Sequence, residues 1–154
     1  MKINDINILY VDDEQNNLIS FKAVFRIKYN IYTAISGEDA IKVLKDNPIN
    51  IIITDQRMPQ MTGVEFLENI LGEYPDPIRI LLTGYADMNA VVDAVNKGKI
   101  FHYLSKPWNE EELDMTIIKA FEIYKQKIEE REMNKTLSVS NEQLEFLLRQ
   151  KLLS

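Results

Sequence analysis

Cysteine is absent from the 154-residue chain, which excludes disulfides and thiolate metal sites. Histidine occurs once, as His102, in no motif that would make it a phosphodonor, so an ordinary strand histidine is expected there. Basic residues are in deficit: 18 Lys and Arg against 24 Asp and Glu leave a net charge of -6. A chain of that sign lacks the basic face that neutralises phosphates, so direct nucleic-acid binding is not expected. No apolar run approaches the roughly 20 residues that span a bilayer. Asp5 stands where the apolar stretch of a signal peptide would begin. No membrane partner is therefore expected, and the chain reads as cytoplasmic. Neither an internal repeat nor a low-complexity tract is visible. What is there is an ordinary globular composition, 45% hydrophobic, long enough for one domain with some length to spare.

The informative feature is how the apolar runs end. Ile51-Ile52-Ile53-Thr54 ends in Asp55 and breaks into Gln56-Arg57-Met58-Pro59. Ile8-Leu9-Tyr10-Val11 ends in Asp12 and Asp13, Ile78-Arg79-Ile80-Leu81-Leu82 in Thr83, and Ile100-Phe101-His102-Tyr103-Leu104 shortly before Lys106-Pro107. Short, nearly continuous apolar runs read as parallel strands buried on both faces. Their ends thus bring three carboxylates, a hydroxyl and an ammonium to one edge of a sheet, the edge where open α/β sheets bind ligands.

Strands are expected near 6–11, 31–35, 50–54, 78–82 and 100–104, with the more alternating 31–35 at an edge. Helical spacing of three and four marks Leu18, Phe21 and Phe25 near 15–28, Ala40, Ile41 and Leu44 near 37–46, Val64, Leu67 and Leu71 after Gly63, and Val91, Ala94 and Val95 after Asp87. Ser36 with Asp39 and Asn109 with Glu112 have the spacing of capping boxes, and Gly98 stands where a helix would stop. Right-handed crossovers then predict an α/β fold, a flavodoxin-like doubly wound five-stranded parallel sheet. From Glu110 to about Ser154 there is neither Pro nor Gly, which predicts an extended C-terminal helix. Its apolar seam runs Leu113, Ile117, Phe121, Tyr124 and Ile128, then resumes in another register at Met133, Leu137, Leu144 and Leu147. That shift predicts a stutter or a break. The division expected is a domain over 1–125 and a helical extension, a coiled-coil linker, over 126–154.

The acid pair, the acceptor, Thr83 and Lys106-Pro107, together with Met61-Thr62-Gly63-Val64-Glu65-Phe66-Leu67, resemble the receiver domain of bacterial response regulators, the CheY-like family, over roughly residues 5 to 125. The resemblance implies that Asp55 accepts a phosphoryl group from a sensor histidine kinase or phosphotransfer protein in two-component signalling. It implies Mg²⁺ (or Mn²⁺) on Asp13, Asp55 and the backbone carbonyl of Arg57, with Asp12 acting through water. Thr83 would meet a phosphoryl oxygen and Lys106 its charge. Tyr103 would change exposure as Thr83 moves. Lys106-Pro107 would be cis. The family's function is a change in partner or dimer affinity, with no chemistry beyond its own phosphorylation and dephosphorylation. Arg57 and Tyr85, two residues after Asp55 and Thr83, are expected to overhang the acyl phosphate and tune its lifetime.

Plainer roles exist for each residue. Asp12, Asp13 and Glu14 suit a helix start, Thr83 a strand satisfied by backbone, Tyr103 a strand edge, and Trp108 packing under the final helix. A hydrolase with an Asp nucleophile would want a second acid two residues on, where this chain has Arg57. A silent interaction domain on this fold would lack one of the five site residues. The tail is expected to form a homodimer seam, its alternative being a solvated, frayed helix.

Overall fold

The computed structural model describes residues 6–153. In chain order the elements are β1 (Asn7–Val11), α1 (Gln15–Phe25), β2 (Asn30–Ala34), α2 (Gly37–Asp46), β3 (Ile51–Asp55), α3 (Gly63–Ile70), β4 (Ile78–Thr83), α4 (Met88–Asn96), β5 (His102–Ser105) and α5 (Glu110–Leu153). All strands are parallel, in the order β2-β1-β3-β4-β5, so β2 is an edge as its alternation predicted, and β5 is the other.

The near-continuous apolar runs are explained by helices on both faces. Successive strand residues point to opposite sides. Ile8, Tyr10, Ile51, Ile53, Ile80 and Leu82 join Leu18, Phe21 and Phe25 of α1 and Leu113 and Ile117 of α5 in one core. Leu9, Val11, Ile52 and Leu81 join Ala40 and Leu44 of α2, Phe66 and Leu67 of α3, and Val91 and Ala94 of α4 in the other. Each of the Val, Leu, Ile and Phe side chains among them, fully buried, contributes about 1.5–3 kcal/mol relative to exposure.

The helix starts follow local chemistry. Asp39 N–H donates to Ser36 Oγ at 3.1 Å and Glu112 N–H to Asn109 Oδ1 at 3.0 Å, as the cap spacing predicted. Thr62 caps α3 in the same way through Glu65 N–H at 3.2 Å. Gly98 takes φ +73° just past α4, a conformation that favours glycine.

Of the two outcomes expected at the register shift, a stutter or a break, the helix shows no break. α5 runs uninterrupted over Glu110–Leu153. Its first turns bury Leu113, Ile117 and Ala120. Asp114 accepts from Tyr29 Oη at 2.5 Å and Lys28 Nζ at 2.9 Å. Contact with the domain continues through Lys127 Nζ, which donates to the Pro75 carbonyl at 2.5 Å, and Arg131, whose guanidinium pairs with both oxygens of Asp76. Beyond that clamp the described residues are exposed. Continuity has a simple cause: no Pro or Gly interrupts the intrahelical hydrogen bonds, so changing the apolar face costs no backbone bond. No helix among the described residues is long and apolar enough to cross a membrane.

Candidate functional site

The carboxyl ends of the central strands converge as expected. One carboxylate oxygen each from Asp12, Asp13 and Asp55 lie within 4.8 Å of one another. Asp12 is fully buried and Asp55 nearly so, while Asp13 is half-exposed. Lys106 reaches in from the β5–α5 loop, next to a cis Lys106-Pro107 bond, with Nζ 2.5 Å from Asp55 Oδ1 and 3.8 Å from Asp12 Oδ2. Three acids against one ammonium is an incomplete balance. Oxygen-only donors with one acid half open to solvent suit a hard divalent cation that keeps several waters. These residues fit such an ion.

A cleft of about 400 Å³ opens over this edge, walled by Asp13, Glu14, Asp55, Arg57, Asp87 and Lys106, with the small Gly84 and Ala86 at one side. Thr83 lies at the end of β4, buried, its hydroxyl donating to the Gly84 carbonyl at 3.1 Å. Arg57 reaches across the mouth: its Nε donates to Asp87 Oδ2 at 3.1 Å. The side chain of Tyr85 lies outside the described residues. Tyr103 is half-buried on the edge strand β5, packed on the α2/α3/α4 face and away from the cleft walls. Trp108 packs against the core that the final helix helps to build, as expected, edge-on to Phe21 of α1 at 6.0 Å and tilted against Phe25 at 5.7 Å between ring centres.

Several residues that shape the site carried no signal in the apolar pattern. Gln56 is buried and its Oε1 accepts from Val64 N–H at 2.9 Å, tying the residue after Asp55 to the start of α3. Gly63 sits against the Asp55 carbonyl: a Cβ there would fall 2.3 Å from that oxygen. Tyr10 Oη and Asn17 Nδ2 both donate to Asp12 Oδ2, at 2.9 and 3.1 Å. Tyr10 was visible as one more member of an apolar run. Its place two residues before Asp12, hence on the same side of the strand, is the signal that could have found it.

Burial is the largest influence on Asp55 and holds its carboxyl above the ordinary carboxylate range. The Lys106 ion pair opposes this without cancelling it, and Asp12 adds to it. A carboxyl raised on folding stabilises the fold below its unfolded value, and that contribution is lost as pH rises through the folded value. At neutral pH the ionised Asp55 therefore costs stability. In metal-free buffer Asp55→Asn is expected to melt above wild type at pH 7, with the gap narrowing toward pH 4. Circular-dichroism melts across that range check it, and a variant that melts below wild type at pH 7 would contradict the assignment.

Known proteins resemble this chain over most of its length. Residues 8–118 match the family model described as the response regulator receiver domain. The hydrogenase transcriptional regulatory protein HoxA of Bradyrhizobium diazoefficiens is 32% identical over 118 residues, which is 77% of this chain and 24% of that protein. The chain thus spans about a quarter of the length of the curated relatives it matches. Among solved structures, the adenylate cyclase from Rhodopirellula baltica superposes with a TM-score of 0.82 at 29% identity, covering 85% of this chain and 98% of that one. The signal receiver domain of an HD domain-containing protein from Pseudomonas fluorescens Pf-5 gives 0.74 at 31% identity, covering 80% and 99%. The matched stretch takes in the ends of β1, β3, β4 and β5 that build the cleft, and the chain belongs to the receiver-domain family of two-component response regulators.

Proposed function

We propose that Asp55 is the phosphoacceptor of this receiver, that Asp13, Asp55 and the Arg57 carbonyl hold Mg²⁺ with Asp12 acting through water, and that the chain works as a switch rather than as an enzyme on an outside substrate. The observation that carries this is the trio of carboxylates within 4.8 Å with Lys106 seated on Asp55. Bound there, the cation would offset the repulsion among the acids and the incoming phosphoryl oxygens.

The chain's own groups account for the rest. A carboxylate oxygen of Asp55 attacks phosphorus. The bond from phosphorus to the imidazole nitrogen of a kinase or phosphotransfer histidine breaks, and its electron pair returns to that nitrogen. Lys106 already stands at hydrogen-bond distance from Asp55, so it meets the added charge without reorganising. Thr83, now bonded to Gly84, is the neighbouring hydroxyl that can turn to the new oxygens, and Tyr103 follows on the adjacent strand. Intact mass after incubation with acetyl phosphate and Mg²⁺ tests the assignment: one phosphoryl group is expected, and none without the metal. Followed in time, the same measurement reads Arg57 and Tyr85, whose joint replacement by Ala is expected to change the decay rate and not the extent of labelling.

The tail supports a second proposal, a homodimer through α5 beyond the 126 boundary. Met133, Leu137, Leu144 and Leu147 are all exposed, and with Ser140 and Lys151 they alternate by four and three, the spacing of a two-helix seam. Flanking positions Asn134, Thr136, Asn141, Gln143 and Gln150 are uncharged, so in two identical parallel copies like charges meet at Lys151 and not at these flanks. Sedimentation of the full chain should show reversible association toward twice 18.0 kDa. Leu137→Glu combined with Leu144→Glu should remain monomeric. A wild type that stays monomeric at high concentration, with and without an acyl-phosphate mimic, ends the proposal.

A further inference from the structure

Asp12 is the most confined of the three acids. It is fully buried, and three donors from the chain hold it: Tyr10 Oη and Asn17 Nδ2 on Oδ2, and Glu14 N–H on Oδ1 at 3.0 Å. The same Oδ2 lies 3.8 Å from Lys106 Nζ, just short of a hydrogen bond, while Lys106 is closed on Asp55 at 2.5 Å. One ammonium thus stands between two buried carboxylates and bonds only one of them.

We infer that Tyr10 and Asn17 are positioning residues that saturate Asp12 Oδ2, keeping Asp12 off Lys106 so that Asp12 stays turned to the cation and Lys106 stays on Asp55. This rests on the proposed Mg²⁺ site. The physical argument is one of unmet acceptors. A buried carboxylate that loses a donor takes the nearest cation. Here the nearest is Lys106, within a small side-chain rotation. The resulting pair competes with Mg²⁺ for Asp12 and draws the ammonium away from Asp55. Tyr10 is suited to the role because its ring is pinned: it stacks on Phe21 with centres 4.2 Å apart and planes 6° apart. Asn17 adds the second donor from α1, so the frame ties strand to helix.

Tyr10→Phe keeps the ring and its stack and removes only the hydroxyl. Asn17→Ala removes the other donor from a half-buried helical position. Calorimetric titration of the full chain with Mg²⁺ alone should show affinity lowered about tenfold in Tyr10→Phe, with a similar loss in Asn17→Ala. Labelling by acetyl phosphate should need correspondingly more Mg²⁺ and reach a near wild-type rate at saturation, a split that general unfolding would not produce. Tyr29→Phe is the matched control. It deletes another phenol–carboxylate hydrogen bond, Tyr29 to Asp114 at 2.5 Å, in the same core but with neither residue among the cleft walls. It should lower the melting temperature and leave Mg²⁺ affinity at the wild-type value. Unchanged affinity in both Tyr10→Phe and Asn17→Ala, or an equal loss in Tyr29→Phe, overturns the inference. A wild-type chain that binds no Mg²⁺ overturns the site itself, and the inference with it.

Discussion

Asp55→Asn, incubated with acetyl phosphate and Mg²⁺, is expected to keep its unmodified mass while the wild-type chain gains one phosphoryl group. The amide is nearly isosteric with the carboxylate and fits the same buried strand end, so the fold should survive. What it loses is the nucleophilic oxygen pair and the charge that Lys106 contacts at 2.5 Å. Asp12 and Asp13 do not replace it. Asp12 is enclosed by its donors, and neither acid is paired with Lys106 at hydrogen-bond distance. The effect is therefore all or none rather than graded. Equal labelling of Asp55→Asn would remove Asp55 as the acceptor and leave the acid cluster as a metal site alone.

Gly63→Ala should produce the second largest effect, on stability and site geometry together. The added Cβ would lie 2.3 Å from the Asp55 carbonyl oxygen and 2.8 Å from Leu81 Cδ1. Leu81 can turn, but the carbonyl cannot. Asp55 is the last residue of β3, paired with Leu82 of β4, and Thr54 is paired with Val11 of β1. The loop over 56–62 and the first turn of α3 must yield instead. Overpacking of this kind costs about 3 kcal/mol, roughly 6–12 °C in melting temperature at this chain length. A displaced acceptor should also slow phosphorylation by about tenfold or more. Gly72→Ala, where a Cβ meets nothing within 4 Å, is the comparison. If Gly63→Ala melts with Gly72→Ala and labels at the wild-type rate, the close approach of α3 to Asp55 has no role in the site.

Much of this molecule was readable from residues taken in order. Buried parallel strands need apolar side chains on both faces, so the runs ending at Val11, Thr54 and Leu82 announced themselves, and so did the acids and Thr83 that follow them; the run ending at Leu104 became the other edge strand, largely exposed. Ser36, Asn109 and Gly98 act within a few residues of their own backbone, so their roles were local and legible. The edge position of β2 followed from its alternation, and its residues are half-buried on both faces up to Ala34. Tyr103 and Thr83 lie on the strands their runs predict, and Trp108 packs against the core that the final helix helps to build; its ring partners on α1 are the part that leaves no trace in spacing.

The sequence by itself determined the sheet, the helices and which chemical groups arrive at its carboxyl edge, because periodicity and chain punctuation are short-range properties of the backbone. Only the tertiary structure decided how those groups divide their bonds. Tyr10 and Asn17 hold Asp12, Lys106 closes on Asp55, Arg57 crosses to Asp87, and Arg131 clamps the last helix to Asp76. Each of these outcomes is a competition among partners brought close by the fold, settled by distances of an ångström or less, and no one-dimensional pattern carries that information.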